Sequence, residues 1–132
     1  MRTILTFIML LLLTSNLFAK DINYNLTAVA KVDNKTKIVK TFKSELIKFS
    51  ASDSLNSNGN NRNLKYQWIG KNSIILSKKK TFVHKFDRQG IYTIILKVTD
   101  IHNKTASDKI SIFVDMDKYQ IANFQREKKL VL

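Results

Sequence analysis

The sequence predicts an all-β domain, a seven-stranded Greek-key β-sandwich, and three observations carry that prediction. From Tyr24 onward the chain is built of short apolar runs with a period of two, rich in Ile, Val, Thr, Tyr and Phe. Clusters of Asn, Asp, Ser and Gly separate the runs. No segment carries an apolar stripe of helical period and useful length, an internal repeat or heptads.

Taken in order, residues 24–32 together with Ile38 and Val39 predict a first, split edge strand. Ile47, Phe49 and Ala51 then alternate with Lys48 and Ser50. Residues 52–63 read as a polar, flexible loop. Leu64, Tyr66 and Trp68 alternate with Lys65, Gln67 and Ile69, and Phe82, His84 and Phe86 form a further set before Asp87. The clearest strand covers 91–99. Tyr92, Ile94, Leu96 and Val98 point to one side of it, and Thr93, Ile95, Lys97 and Thr99 to the other. Arg88-Gln89-Gly90 turns into it, and residues 100–105 turn out of it. The last strand sets Ile110, Ile112 and Val114 against Lys109, Ser111 and Phe113, so the two final strands predict a hairpin.

Three of these segments, in order, resemble the PKD (polycystic kidney disease) domain family. They are Phe49-Ser50-Ala51-Ser52-Asp53-Ser54, then Leu64-Lys65-Tyr66-Gln67-Trp68, then the run from Gly90 through Tyr92, Leu96, Val98 and Thr99 to Asp100. The likeness covers about 27–114. It implies an immunoglobulin-like sandwich in which Trp68, Tyr92, Ile94, Leu96 and Val98 form the structural core. Trp68 would fill the space between the sheets, the Tyr92 hydroxyl would cap a turn, and Gly90 would adopt a backbone angle that side chains resist. Ile94 lies two residues after Tyr92, where disulfide-bonded relatives of the fold carry a cysteine, so packing would replace the bridge. The chain departs from the family at Ile69-Gly70-Lys71-Asn72-Ser73, where many members have an acidic, glycine-rich turn. No calcium role is carried over.

Ahead of this domain, Met1-Arg2, a nearly unbroken apolar run over 4–13 and Leu17-Phe18-Ala19 before Lys20-Asp21 read as a signal peptide helix over 1–19, cut after Ala19. The rival reading is an uncleaved anchor, for which the run is short. The expected organisation is thus a signal peptide over 1–19, a PKD-like sandwich over 24–116 and a C-terminal tail over 117–132. The tail is open to three readings: disordered, a short helix, or a membrane-surface element.

A chain of 132 residues, 44% hydrophobic and 25% charged, holds one domain with a workable core. The absence of cysteine rules out disulfides, thiolate zinc sites, a cysteine nucleophile and a lipidated cysteine. The net charge of +13 loses one unit with the first 19 residues, through Arg2. A basic balance suits polyanions. It equally suits compositional drift, since only Arg2, Arg62, Arg88 and Arg126 are arginine and Asn and Ile abound.

No catalytic, cofactor or metal site is expected. Ser54, Asn56, Asn58 and Gly59 only echo a calcium loop, with Lys65 where a bidentate Glu is required. His84 and His102 lack a second ligand or acid at suggestive spacing, and Asp115 with Asp117 is the one close carboxylate pair. The candidate interaction face is the outward side of the presumed sheet: Lys65, Gln67, Ile69, Ile95, Lys97 and Phe113, with Lys109 and Ser111. Ile69, Ile95 and Phe113 are expected to meet there within a basic surround, unless Tyr119, Ile121 and Phe124 of the tail fold back over them. The predicted function is an exported, non-catalytic module, periplasmic or extracellular in a bacterium, binding a protein or polysaccharide of the cell envelope. The alternatives are a nonspecific polyanion binder using Lys78-Lys79-Lys80, Lys65 and Lys97, or a spacer without a ligand. No specific nucleic-acid partner is expected, and membrane contact only through an uncleaved signal or the tail.

Overall fold

The last two strands show how the alternation becomes architecture. In β7 (Gly90–Thr99) Ile94, Leu96 and Val98 are buried, while Ile91, Thr93 and Ile95 face solvent. In β8 (Thr105–Asp115) Ile110, Ile112 and Val114 are buried opposite them. The two strands are antiparallel and in register from Thr99 beside Thr105 to Gly90 beside Val114. The structure, a computed structural model, describes residues 24–131, so the expected signal peptide lies outside the described residues.

Two sheets pack face to face. The larger has the order β2-β8-β7-β4-β5, with β2 (Ile38–Phe42) parallel to β8, β4 (Lys65–Ile69) antiparallel to β7, and β5 (Ile75–Ser77) at the edge. The smaller has the order β1-β3-β6, formed by β1 (Lys31–Val32), β3 (Ile47–Ser50) and β6 (Thr81–His84). The sequence predicted about seven strands, and eight form among the described residues. The first, split strand divides between the sheets: β1 pairs with β3, and β2 crosses to β8. Asp33, Asn34 and Lys37 take left-handed backbone angles in the crossing. Upstream of β1, residues 24–30 form no strand, and their one β-bridge is at Thr27, to Leu55. β5 is too short to announce itself by alternation.

The core is aromatic where the sheets meet. Trp68, fully buried, packs against Phe49 and Phe82 at ring-centre distances of 5.5 Å each, and Phe49 stacks on Phe82 at 4.8 Å. The Trp68 Nε1 donates to the Lys79 carbonyl at 3.0 Å, which satisfies the one polar atom of the indole. Tyr92 is half-buried against Phe86, and its hydroxyl donates to the Arg88 carbonyl at 2.8 Å across the turn into β7. Gly90, between them, has a φ of 149°, open to glycine alone at low cost.

Polar side chains tie off the ends. Asp100, buried after β7, accepts from the backbone N–H of His102 and of Lys104 and so shapes the hairpin turn. Asp108 on β8 accepts from the Ala30 N–H at 2.9 Å and from Lys37 at 3.2 Å, holding the β1–β2 crossing to the larger sheet. Burial raises the Asp108 pKa, but the N–H groups of Ala30 and Lys109 and the Lys37 ammonium outweigh it and hold the carboxyl below its ordinary range.

One sequence expectation fails here. The loop over 52–63 is not loosely tethered. Asn56 knots it, donating from its amide to Asn60 Oδ1 and the Arg62 carbonyl and accepting from the N–H groups of Asn58 and Asn60. Thr27 and Leu55 exchange backbone hydrogen bonds, and the Tyr24 ring lies over Gly59, where a Cβ would come within 2.8 Å of it. The tail, in turn, forms α1 (Lys118–Leu130), whose first turn is capped by Asp117 accepting from the Gln120 N–H at 2.7 Å. It does not cover the larger sheet: Tyr119 is 79% and Phe124 58% exposed. Of the three readings left open for the tail, the short helix is the one that forms, with its apolar residues scattered around its circumference.

Candidate interaction face

Every second residue of the larger sheet faces away from the core, and the strand register decides which of them become neighbours. Ile69 on β4 lies beside Ile95 on β7, and Ile75 on β5 lies on the other side of Ile69. A register shift between Trp68 and Ile69 bulges β5 and brings Ile75 into that row. Three isoleucines therefore run across the sheet, ended by Lys109 beside Ile95. Ile75 is 47% and Ile95 40% exposed, and Ile69 is half-buried between them.

Phe113 is not in this row. It pairs with Ile91 on β7 and with Lys40 on β2, two rungs along the strand from Ile95, roughly 13 Å away at ordinary strand rise. The expected trio of Ile69, Ile95 and Phe113 is thus two groups, because alternation assigns a residue its face but not its rung. Phe113 and Ile91, 69% exposed, line a depression of about 450 Å³ with Lys40, Phe42 and Asp115. Ile91 could have been found from the sequence, since it shares the parity of Thr93 and Ile95. Ile75 had no such signal.

At the opposite end of the face Gln67 pairs with Lys97 and Lys65 with Thr99. β5 accompanies only Trp68 and Ile69, so the edge of β4 over 64–67 has no neighbouring strand, and Lys78 leaves β5 alongside it. A depression of about 520 Å³ opens there, lined by Lys65, Lys78, Lys97, Gln67 and Thr99 among others, with no carboxylate in its lining. The proposed polyanion set is brought together in part. Lys65, Lys78 and Lys97 share this depression, whereas Lys79 and Lys80 do not line it. Their carbonyls accept from Trp68 Nε1 and the Ala51 N–H.

The other groups with chemical potential have structural partners. Asp117 caps α1, Asp115 accepts from the Met116 N–H, and Asp53 pairs with Lys31. His84 sits between Phe82 and Phe86; burial lowers its pKa, and the nearby Asp87 opposes that. His102 is exposed in the hairpin turn. Among the described residues no three His, Cys, Asp or Glu side chains gather as a metal site would require. None of the described helices is long and apolar enough to cross a membrane.

No protein-family model matches the chain, and no curated protein matches it in sequence. Solved structures do. One, from work on the promiscuous specificity of carbohydrate-binding modules of the β-sandwich superfamily, is 23% identical with a TM-score of 0.56; the match covers 72% of this chain and 36% of that one. Another, a nucleoside hydrolase-related hypothetical protein from Saccharophagus degradans associated with carbohydrate metabolism, is 19% identical with a TM-score of 0.52. That match covers 70% of this chain and 26% of the other. In both cases the chain spans well under two thirds of the longer protein's length. At these identities the likeness establishes the fold, and the described residues form a two-sheet β-sandwich.

Proposed function

We propose that this domain is a PKD-type, immunoglobulin-like Greek-key module, exported and non-catalytic, that holds a protein or polysaccharide of the cell envelope on the outer face of its larger sheet. The observation that carries the reading is the isoleucine row Ile75, Ile69 and Ile95, left open to solvent within a lysine surround. Exposed apolar area with a charged rim marks contact surfaces. The helix that could have covered the row keeps its own aromatic residues in solvent. The positions of Trp68, Tyr92 and Gly90 support the PKD assignment, and the N-terminal apolar run supports export. The fold's likeness to carbohydrate-binding modules favours a glycan among the possible ligands.

A second reading, a nonspecific polyanion binder, is favoured by the convergence of Lys65, Lys78 and Lys97. Capture from native envelope extract by residues 20–132, washed at low and high salt, separates the two. The first reading expects retention at high salt that Ile95→Asp abolishes. Retention at low salt only, indifferent to Ile95→Asp, would support the second.

A further inference from the structure

The lysine-lined depression at the open edge of β4 has a composition unlike the rest of the face. Three ammonium groups border it, Lys65, Lys78 and Lys97, and none makes an ion pair among the described residues. Lys37, just ahead of β2, behaves differently: it is bound to Asp108. Gln67 and Thr99 add an amide and a hydroxyl, which are neutral donors and acceptors. A volume of about 520 Å³ is within the ordinary range for a ligand site.

We propose that this depression is a subsite for the anionic groups of an acidic polysaccharide. The proposal rests on the outer face being the binding surface and names the ligand class for one end of it. Lysines converging without a carboxylate attract anions, and the neutral amide and hydroxyl suit sugar hydroxyls. One rung along, about 7 Å away, the Ile69–Ile95 pair offers an apolar continuation for the chain of sugars. An acidic peptide added as a strand fits less well. β5 already occupies the edge at Trp68 and Ile69, which leaves only residues 64–67, less than an ordinary strand. Lysine is a point charge without a fork, so carboxylate and phosphate groups are both suited chemically.

The test uses residues 20–132, folded as judged by its thermal transition, with two double variants of equal charge loss. Lys65→Gln with Lys97→Gln alters the subsite; Lys35→Gln with Lys48→Gln alters exposed lysines away from it. The probes are polygalacturonate, its methyl-esterified form, a phosphorylated mannan and poly-glutamate, at physiological salt. The subsite variant is expected to bind polygalacturonate or phosphorylated mannan about tenfold more weakly, while the other variant changes binding less than about twofold. Which of the two polymers responds identifies carboxylate or phosphate as the source. The esterified polymer is expected to bind weakly. Equal losses in both double variants, or tighter binding of poly-glutamate than of either glycan, would overturn the proposal. So would a failure to bind any of the acidic polymers, and if capture from envelope extract remained sensitive to Ile95→Asp, the broader reading would still stand. Should the double subsite variant fail to fold, Lys78→Gln set against Lys35→Gln gives the same comparison with one charge removed from each, on side chains outside the strands.

Discussion

At the scale of residues, one buried and one half-buried tyrosine separate burial from bonding. The Tyr92 hydroxyl donates to the Arg88 carbonyl, whereas the Tyr66 hydroxyl is buried with no partner among the described residues. Tyr92→Phe should therefore destabilise the domain by about 1 kcal/mol, and Tyr66→Phe should be neutral or stabilising, as denaturant melts of the two variants would show. Trp68→Ala removes the centre of the aromatic cluster and the bond to Lys79, and should cost about 3 to 5 kcal/mol in the same measurement. The pH dependence has two parts. Burial leaves His84 with a folded pKa below its ordinary value, so the unfolded chain binds the proton more readily and stability falls as pH drops through about 6.5. Asp108 also has a lowered folded pKa, so the stability it contributes is present above about pH 3.9 and is lost as pH falls from there through the folded value. His84→Gln should flatten the first decline and Asp108→Asn the second, followed by thermal melts across pH.

At the scale of elements, what the sequence made legible was the facing of side chains. The parity of Ile94, Leu96 and Val98 against Ile95 and Lys97 placed both faces of β7 correctly, because a period of two follows from strand geometry alone. Register does not follow from it. Pairing depends on turn lengths and bulges, so Phe113 landed beside Ile91, and Ile75 joined Ile69 through a shift no periodicity announces. The Asn56 knot was illegible for a similar reason: asparagines read as loop residues, and only the folded geometry shows one side chain making four hydrogen bonds to three residues. Helix α1 carries a testable consequence of its own. Its aromatic side chains lie in solvent, so ending the chain after Asp117 should shift the domain's stability by no more than about 0.5 kcal/mol in denaturant melts. A larger loss would mean that the helix packs on the sandwich after all.

At the scale of the molecule, the two sheets have unequal outer faces. The smaller sheet has three short strands, with Val83 on β6 as its exposed apolar residue. The larger sheet carries the isoleucine row, the Phe113 depression and the lysine subsite along one continuous surface. Burying the row against a ligand adds apolar contact, and the lysines at its end add charge selection and a faster encounter. The proposed function requires that this face, and not net charge or the opposite face, holds the ligand. The most direct measurement compares capture from native envelope extract at high salt by the unaltered domain, by Ile95→Asp and by Val83→Asp, with each variant first shown to melt as a folded domain. Capture lost with Ile95→Asp and kept with Val83→Asp is the predicted result; capture kept with Ile95→Asp, or lost equally with both, would contradict it.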